Sequence, residues 1–148
     1  MARAMTPQLR EIARQLVEYE AGDGRDPAAL AAAAARANLK LRQHLSKLIG
    51  PAGFHALVTR ALVLAKKEHT LLGDVRVEAS GEIIGLEAIV QRPDWPEGET
   101  GPLSAVFATF LWLLVTFIGA DLALRLVQDQ WPDVPLPNPD FGLEEAVP

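Results

Sequence analysis

Cysteine is absent from the 148 residues, and its absence excludes disulfides, thiol catalysis and thiolate metal sites. Charged residues make up 22% of the chain and aromatic residues 6%, while 49% of the residues are hydrophobic. This composition is too apolar for a disordered chain, and the length suits one domain. The net charge of -5 argues against a general nucleic-acid-binding protein. Because no basic and apolar leader opens the sequence, we predict a cytoplasmic protein.

Acidic residues are missing from one long segment and concentrated in another. Residues 27–67 carry seven basic and no acidic side chains, whereas residues 68–148 carry three basic and fourteen acidic ones. The basic segment predicts either neutralisation by the acidic connector or tail, within one chain or across a dimer, or contact with an anionic partner such as an acidic protein. It has too few aromatic and amide side chains to favour nucleic-acid recognition. The predicted anion-contacting residues are Arg36, Lys40, Lys47, Arg60 and Lys67.

The spacing of apolar residues predicts three helices in the first half of the chain, over about residues 7–21, 27–49 and 53–69. A proline opens each of the first two, at a position where its missing N–H costs nothing. Gly50-Pro51 separates the second helix from the third. So short a turn predicts that these two helices form a helical hairpin.

Alternation of apolar and polar side chains near residues 75–87 predicts one β-hairpin. A two-residue turn at Ser80-Gly81 would pair Val77 with Ile84 and bring the apolar side chains onto one face. Two strands are marginal alone, so we expect a helix to cover that face. A connector rich in proline follows over residues 92–102.

Charge is absent from Leu103 to Ala120, within a predicted fourth helix that runs from about Leu103 to Gln128. At about 1.5 Å per residue the uncharged run spans roughly 27 Å, close to the thickness of a bilayer core. It therefore predicts either the central helix of a soluble bundle or a membrane span. Because three helices and a hairpin barely surround such a helix, we expect a homodimer that shares it. The predicted interface residues are Ala105, Thr109, Trp112, Thr116, Gly119, Ala120 and Ala123.

Asp121 follows this uncharged run and precedes Arg125 by one helical turn. The order Asp then Arg at this spacing predicts an ion pair within the helix. At a buried subunit contact the same pair would instead set the register of the two subunits.

His44 precedes Lys47 by about one helical turn, a pattern that resembles the phosphoacceptor site of histidine phosphotransfer domains, which are also small helical bundles. The resemblance implies that His44 would accept a phosphoryl group whose charge Lys47 stabilises. Leu48 stands where those domains have a glycine, and His44 lies on the apolar stripe of its helix, which favours a core or interface histidine. No two of the three histidines have metal-ligand spacing, and phosphate-loop and nucleophile motifs are missing. We predict no metal, no cofactor and no catalytic residue.

Two stretches, Leu48-Ile49-Gly50-Pro51-Ala52-Gly53-Phe54 and Val115-Thr116-Phe117-Ile118-Gly119, resemble a family of small bacterial proteins of unassigned function. The resemblance implies a soluble bacterial protein and carries over no activity and no catalytic residue.

These patterns together predict a mainly α, four-helix-bundle-like single domain with one β-hairpin between the third and fourth helices. The domain covers residues 1–130, and a proline-rich irregular tail covers residues 131–148. The predicted function is a non-catalytic, homo-oligomeric interaction or regulatory module. The alternatives are a single-pass protein of the inner membrane, anchored by residues 103–120, and a phosphotransfer bundle acting through His44.

Overall fold

The computed structural model describes residues 7–24, 26–95 and 101–136. Within these ranges five helices, a short 3-10 turn and one two-stranded antiparallel hairpin follow one another along the chain. They are α1 (Pro7–Ala21), α2 (Pro27–Glu68), the 3-10 turn Thr70–Leu72, β1 (Arg76–Val77), β2 (Ile83–Ile84), α3 (Leu86–Val90), α4 (Gly101–Ile118) and α5 (Ala120–Gln130). The predicted mainly α class with one β-hairpin is confirmed.

The long helix α2 bends at Gly50, whose φ of 84° and ψ of 157° lie outside the helical region. Glycine adopts a positive φ at little cost because it lacks a Cβ. A Cβ on Gly81 would lie 2.9 Å from the Phe54 ring and 3.6 Å from the Arg42 side chain, so residues from both sides of the bend meet there. In a straight helix these two residues would be about 18 Å apart. The predicted helical hairpin is therefore present, with a first arm (residues 27–49) and a second arm (residues 51–68).

The prediction of one continuous fourth helix is wrong, because Gly119 divides the segment into α4 and α5. Gly119 has a φ of 93° and a ψ of 155°. This conformation is nearly that of Gly50. After the break α5 turns back along α4, since Trp131, the residue after α5, meets Phe107 edge-on with ring centroids 6.0 Å apart. Both long helical elements therefore fold back at a single glycine.

The β-hairpin forms where it was predicted but in a different register. Val77 pairs with Ile83 and not with Ile84. The N–H of Gly81 donates to the carbonyl of Glu78 at 2.8 Å, and Gly81 has a φ of 93°. The glycine thus ends a three-residue loop of the kind that closes on a residue with positive φ, where the prediction assumed a two-residue turn.

The core lies between α1, both arms of α2 and the first half of α4. Ten consecutive residues, Pro102 to Leu111, are all buried, so this half of α4 has protein on every side. Its buried Thr109 hydroxyl donates to the carbonyl of Ala105 at 2.8 Å, which satisfies the hydroxyl without a partner from another helix.

The start of the tail packs onto this core. Trp131 is 1% exposed, and Val134 is buried as well. The side-chain amide of Gln128 donates to the carbonyls of both residues, at 2.8 Å and 2.9 Å. Residues 131–136 contain no helix or strand. Residues 137–148, and residues 96–100 of the predicted connector, lie outside the described ranges, so the domain boundary stays a prediction.

Candidate functional site

Two of the residues predicted to contact an anion are neutralised within the chain by Glu20. The Glu20 side chain is only 6% exposed; its carboxylate pairs with the Lys40 ammonium and lies 3.5 Å from Arg36 Nε. Trp131 Nε1 donates to the same carboxylate at 2.8 Å. Burial raises the pKa of Glu20, but hydrogen bonds from Lys40, Trp131 and Arg36 and the charge of Lys40 outweigh burial, so the pKa is lowered. Glu20 therefore joins α1, the first arm and the residue after α5.

The other three predicted anion-contacting residues do not converge on one point. Lys47, Arg60 and Lys67 are exposed and form no ion pair with any residue in the described ranges. Arg60 and Lys67 lie seven residues apart on the second arm, about 10 Å along its axis, while Lys47 belongs to the first arm. The structure thus divides the predicted set into a neutralised pair and dispersed surface charges.

The ring of His44 is half-buried, and its Nε2 has neither solvent contact nor a hydrogen-bond partner in the described part of the chain. A phosphoacceptor nitrogen must reach the donor phosphate, so this nitrogen is poorly placed for phosphoryl transfer. The placement agrees with the alternative of a core or interface histidine.

The residues predicted to form the homodimer interface lie along one stripe of the fourth helix. The chain itself covers part of that stripe. Four of its members are buried within this chain and cannot face a second copy, because α1 and α2 pack against α4 while α4 and α2 pack against α5: Ala105, Thr109, Ala120 and Ala123. Trp112 is half-buried, while Thr116 and Gly119 are exposed. Only the part of the stripe next to the α4–α5 bend remains open to a partner.

Large apolar side chains are exposed around this bend. Phe117 is 66% exposed and Leu122 is 40% exposed, with the half-buried Leu113 beside them. Leu48, next to the α2 bend, is 53% exposed. We call Leu48, Leu113, Phe117 and Leu122 the apolar end.

Ring contacts fix the direction in which α4 runs beside α2. Phe107 meets Trp131, and the Trp131 ring lies 5.6 Å from the ammonium of Lys40, ten residues before the α2 bend. Three residues further along α4, Phe110 meets Phe54, four residues after that bend, with ring centroids 5.5 Å apart. The chain of α4 therefore advances toward the α2 bend.

The two bends consequently lie at the same end of the molecule. Phe117 is seven residues beyond Phe110, about 10 Å further along α4 in the direction of the α2 bend, which lies about 6 Å from Phe54. Helix α1 does not cover this end, because Arg10 near its start pairs with Glu68 at 3.4 Å, at the far end of the second arm. The other end of α1 is held by the contacts of Glu20 with Lys40 and Trp131. The last turns of α4 therefore extend past the helix that covers its first half.

Asp121 and Arg125 add charge beside the apolar end. Both side chains belong to exposed residues of α5. The predicted ion pair between them is not formed, and neither makes an ion pair with any other residue that the structure describes. Their charges remain open to a partner.

The buried interior between α2 and α4 offers little room for chemistry. A cavity of about 20 Å³ lies between α2 and α4, lined by apolar side chains and the buried Asn38. That space holds about one water molecule. No group of three His, Cys, Asp or Glu residues within the described ranges could hold a metal ion. Among the residues that the structure describes, two helices, α2 and α4, are long and apolar enough to cross a membrane, and 61% of the α4 segment is buried inside the protein.

No family model, curated protein or solved structure matches the chain. Any proposal about its function therefore rests on the geometry described above. Sequence reasoning missed Leu48, Phe117 and Leu122 as surface residues. Their apolar character suggested a core, and their exposure depends on where the two bends fall. A glycine directly after Leu48-Ile49 and after Phe117-Ile118 was the signal that could have located both bends.

Proposed function

We propose that the protein is a non-catalytic interaction or regulatory module that self-associates through its apolar end. The observation that carries the proposal is the 66% exposure of Phe117 in a helix in which the ten residues from Pro102 to Leu111 are buried. Fully burying a side chain of this size stabilises by about 1.5–3 kcal/mol. Clustered exposed apolar residues are typical of protein-interaction sites. Self-association would bury this cluster, and in this proposal the protein acts in the cytoplasm.

Substituting Phe117 with serine tests the proposal. We expect the wild-type protein to show a mass above that of one chain by light scattering across the micromolar range, and Phe117→Ser to shift it toward the monomer. Val63→Ser is the matched control, because Val63 is 42% exposed on the second arm, thirteen residues from the bend. A wild-type protein that stays monomeric, or a Phe117→Ser variant that associates as wild type does, would contradict self-association through this end.

Membrane attachment through α4 is a second candidate, favoured by a mean hydropathy of 1.9 over its eighteen residues. A single-pass helix exposes most of its side chains to lipid, whereas ten consecutive residues of α4 contact protein. This burial supports the soluble module over the membrane span. Fractionation without detergent separates the two, since the proposed module stays in the supernatant and a spanning protein sediments with membranes.

A further inference from the structure

We infer that the second copy docks antiparallel along α5, with Asp121 of each copy paired to the partner's Arg125. The inference rests on the proposed self-association and specifies its contact. It starts from two opposite charges that the chain leaves unpaired on one exposed helix, with the exposed Leu122 between them in sequence. Asp121 and Arg125 are one helical turn apart, a spacing at which an ion pair within the helix can form. The described structure nevertheless leaves them unpaired.

A two-fold axis makes this surface complementary to itself. In a symmetric dimer each contact occurs twice, with residue i facing j and j facing i. Asp121 and Arg125 are separated by about 6 Å along the axis of α5. An axis that runs beside α5, perpendicular to it and at the level midway between the two residues, brings each carboxylate opposite the partner's guanidinium. Leu122 then lies between the two ion pairs, and Phe117 lies beside them.

The charges also select against other arrangements and partners. A parallel pair of α5 helices would bring Asp121 against the partner's Asp121, a like-charge contact that is unfavourable. An anionic lipid surface or a strongly acidic protein would meet the same carboxylate. The guanidinium of Arg125 matches a carboxylate with two parallel hydrogen bonds, so an antiparallel copy satisfies both groups. The ion pairs would set the register, while the apolar side chains supply the affinity.

Charge reversal tests the pairing. Asp121→Arg and Arg125→Asp should each weaken the dimer by about tenfold or more, because like charges then face each other twice. The double variant with both changes restores opposite charges and should return the dissociation constant to near the wild-type value. The measurement is sedimentation velocity over a dilution series, with circular dichroism to check folding. Glu87→Arg, an exposed charge change on α3, is the control and should leave association unchanged.

Cross-linking gives an independent measurement of the axis. Because the chain has no cysteine, Leu122→Cys introduces the only thiol. Near the axis two such residues approach within the about 7 Å between Cα atoms that a disulfide tolerates. We expect mild oxidation to cross-link Leu122→Cys into covalent dimers, and to leave Val63→Cys monomeric on a denaturing gel.

The outcomes separate the two proposals. If Phe117→Ser dissociates the dimer while both single charge variants and the double variant associate like wild type, self-association stands and the α5 pairing is overturned. If the double variant associates as poorly as the single ones, reciprocal pairing is likewise overturned. A wild-type monomer that instead binds vesicles containing phosphatidylglycerol overturns both the self-association and the pairing.

Discussion

In α4 the ten residues from Pro102 to Leu111 are all buried, whereas Leu114 is the only buried residue among the seven that complete the helix. Both halves are uncharged, and both contain phenylalanine and leucine. Their difference comes from what lies over them. Helix α1 and the start of the tail cover the first half, while the second half extends to the α4–α5 bend. The comparison shows that apolar composition alone does not distinguish a core segment from an exposed one.

Removing one aromatic ring from each half should give very different losses of stability. Phe110 is 2% exposed and packs edge-on against Phe54. Phe110→Ala leaves a cavity there and should lower the free energy of unfolding by about 3–5 kcal/mol. Phe117→Ala, the matched variant, should change it by no more than about 0.5 kcal/mol in the monomer, as an exposed substitution does. Urea denaturation at low protein concentration measures both, and equal losses would show that the two halves share one environment.

Replacing the glycines at the two bends should have an intermediate effect. A Cβ at Gly119 or Gly50 would meet nothing within 4 Å, so the penalty is backbone strain at positive φ and not a clash. We expect Gly119→Ala and Gly50→Ala each to destabilise by about 1–3 kcal/mol. Gly53→Ala, at a glycine without positive φ, serves as the control and should cost less. Thermal unfolding would contradict the strain argument if all three variants lost the same stability.

The two bends also show how much of the fold could be predicted from the sequence. Gly50 was recognised as a helix end because Pro51 follows it, and proline restricts the residue before it. Gly119 has nearly the same φ and ψ, yet Ala120 follows it and the helical pattern runs on into α5. Local propensity therefore located one bend and missed the other. The second depends on α5 packing back against α4, which is a tertiary effect.

The candidate site was less predictable than the fold for the same reason. The charge count indicated that the basic segment needs a counter-charge, and Glu20 of α1 supplies one to Arg36 and Lys40, although the acidic connector or tail was the expected source. The hairpin register failed because a three-residue loop and a two-residue loop use the same glycine. The absence of charge predicted an apolar fourth helix but not where the protein that covers it ends.

The smallest predicted effect is expected at Glu20. Its contacts with Lys40 and Trp131 hold α1 and the start of the tail over the first half of α4. Since the folded-state pKa of Glu20 is lowered, its ionised form stabilises the fold above the pKa of the unfolded chain. That stabilisation is lost as the pH falls through the folded-state pKa. Glu20→Gln should therefore cost about 1–2 kcal/mol near neutral pH, discounted because Arg36 and Lys40 are partly exposed.

The wild-type protein and Glu20→Gln should then converge in stability as the pH is lowered, because a protonated Glu20 no longer pairs with Lys40. Glu11→Gln is the control: Glu11 pairs with Arg14 within α1 and is half exposed, so its loss should matter little at any pH. Urea midpoints across the acidic range measure the difference. A gap between wild type and Glu20→Gln that stayed constant at every pH would mean that the carboxylate acts through its shape and not through its charge.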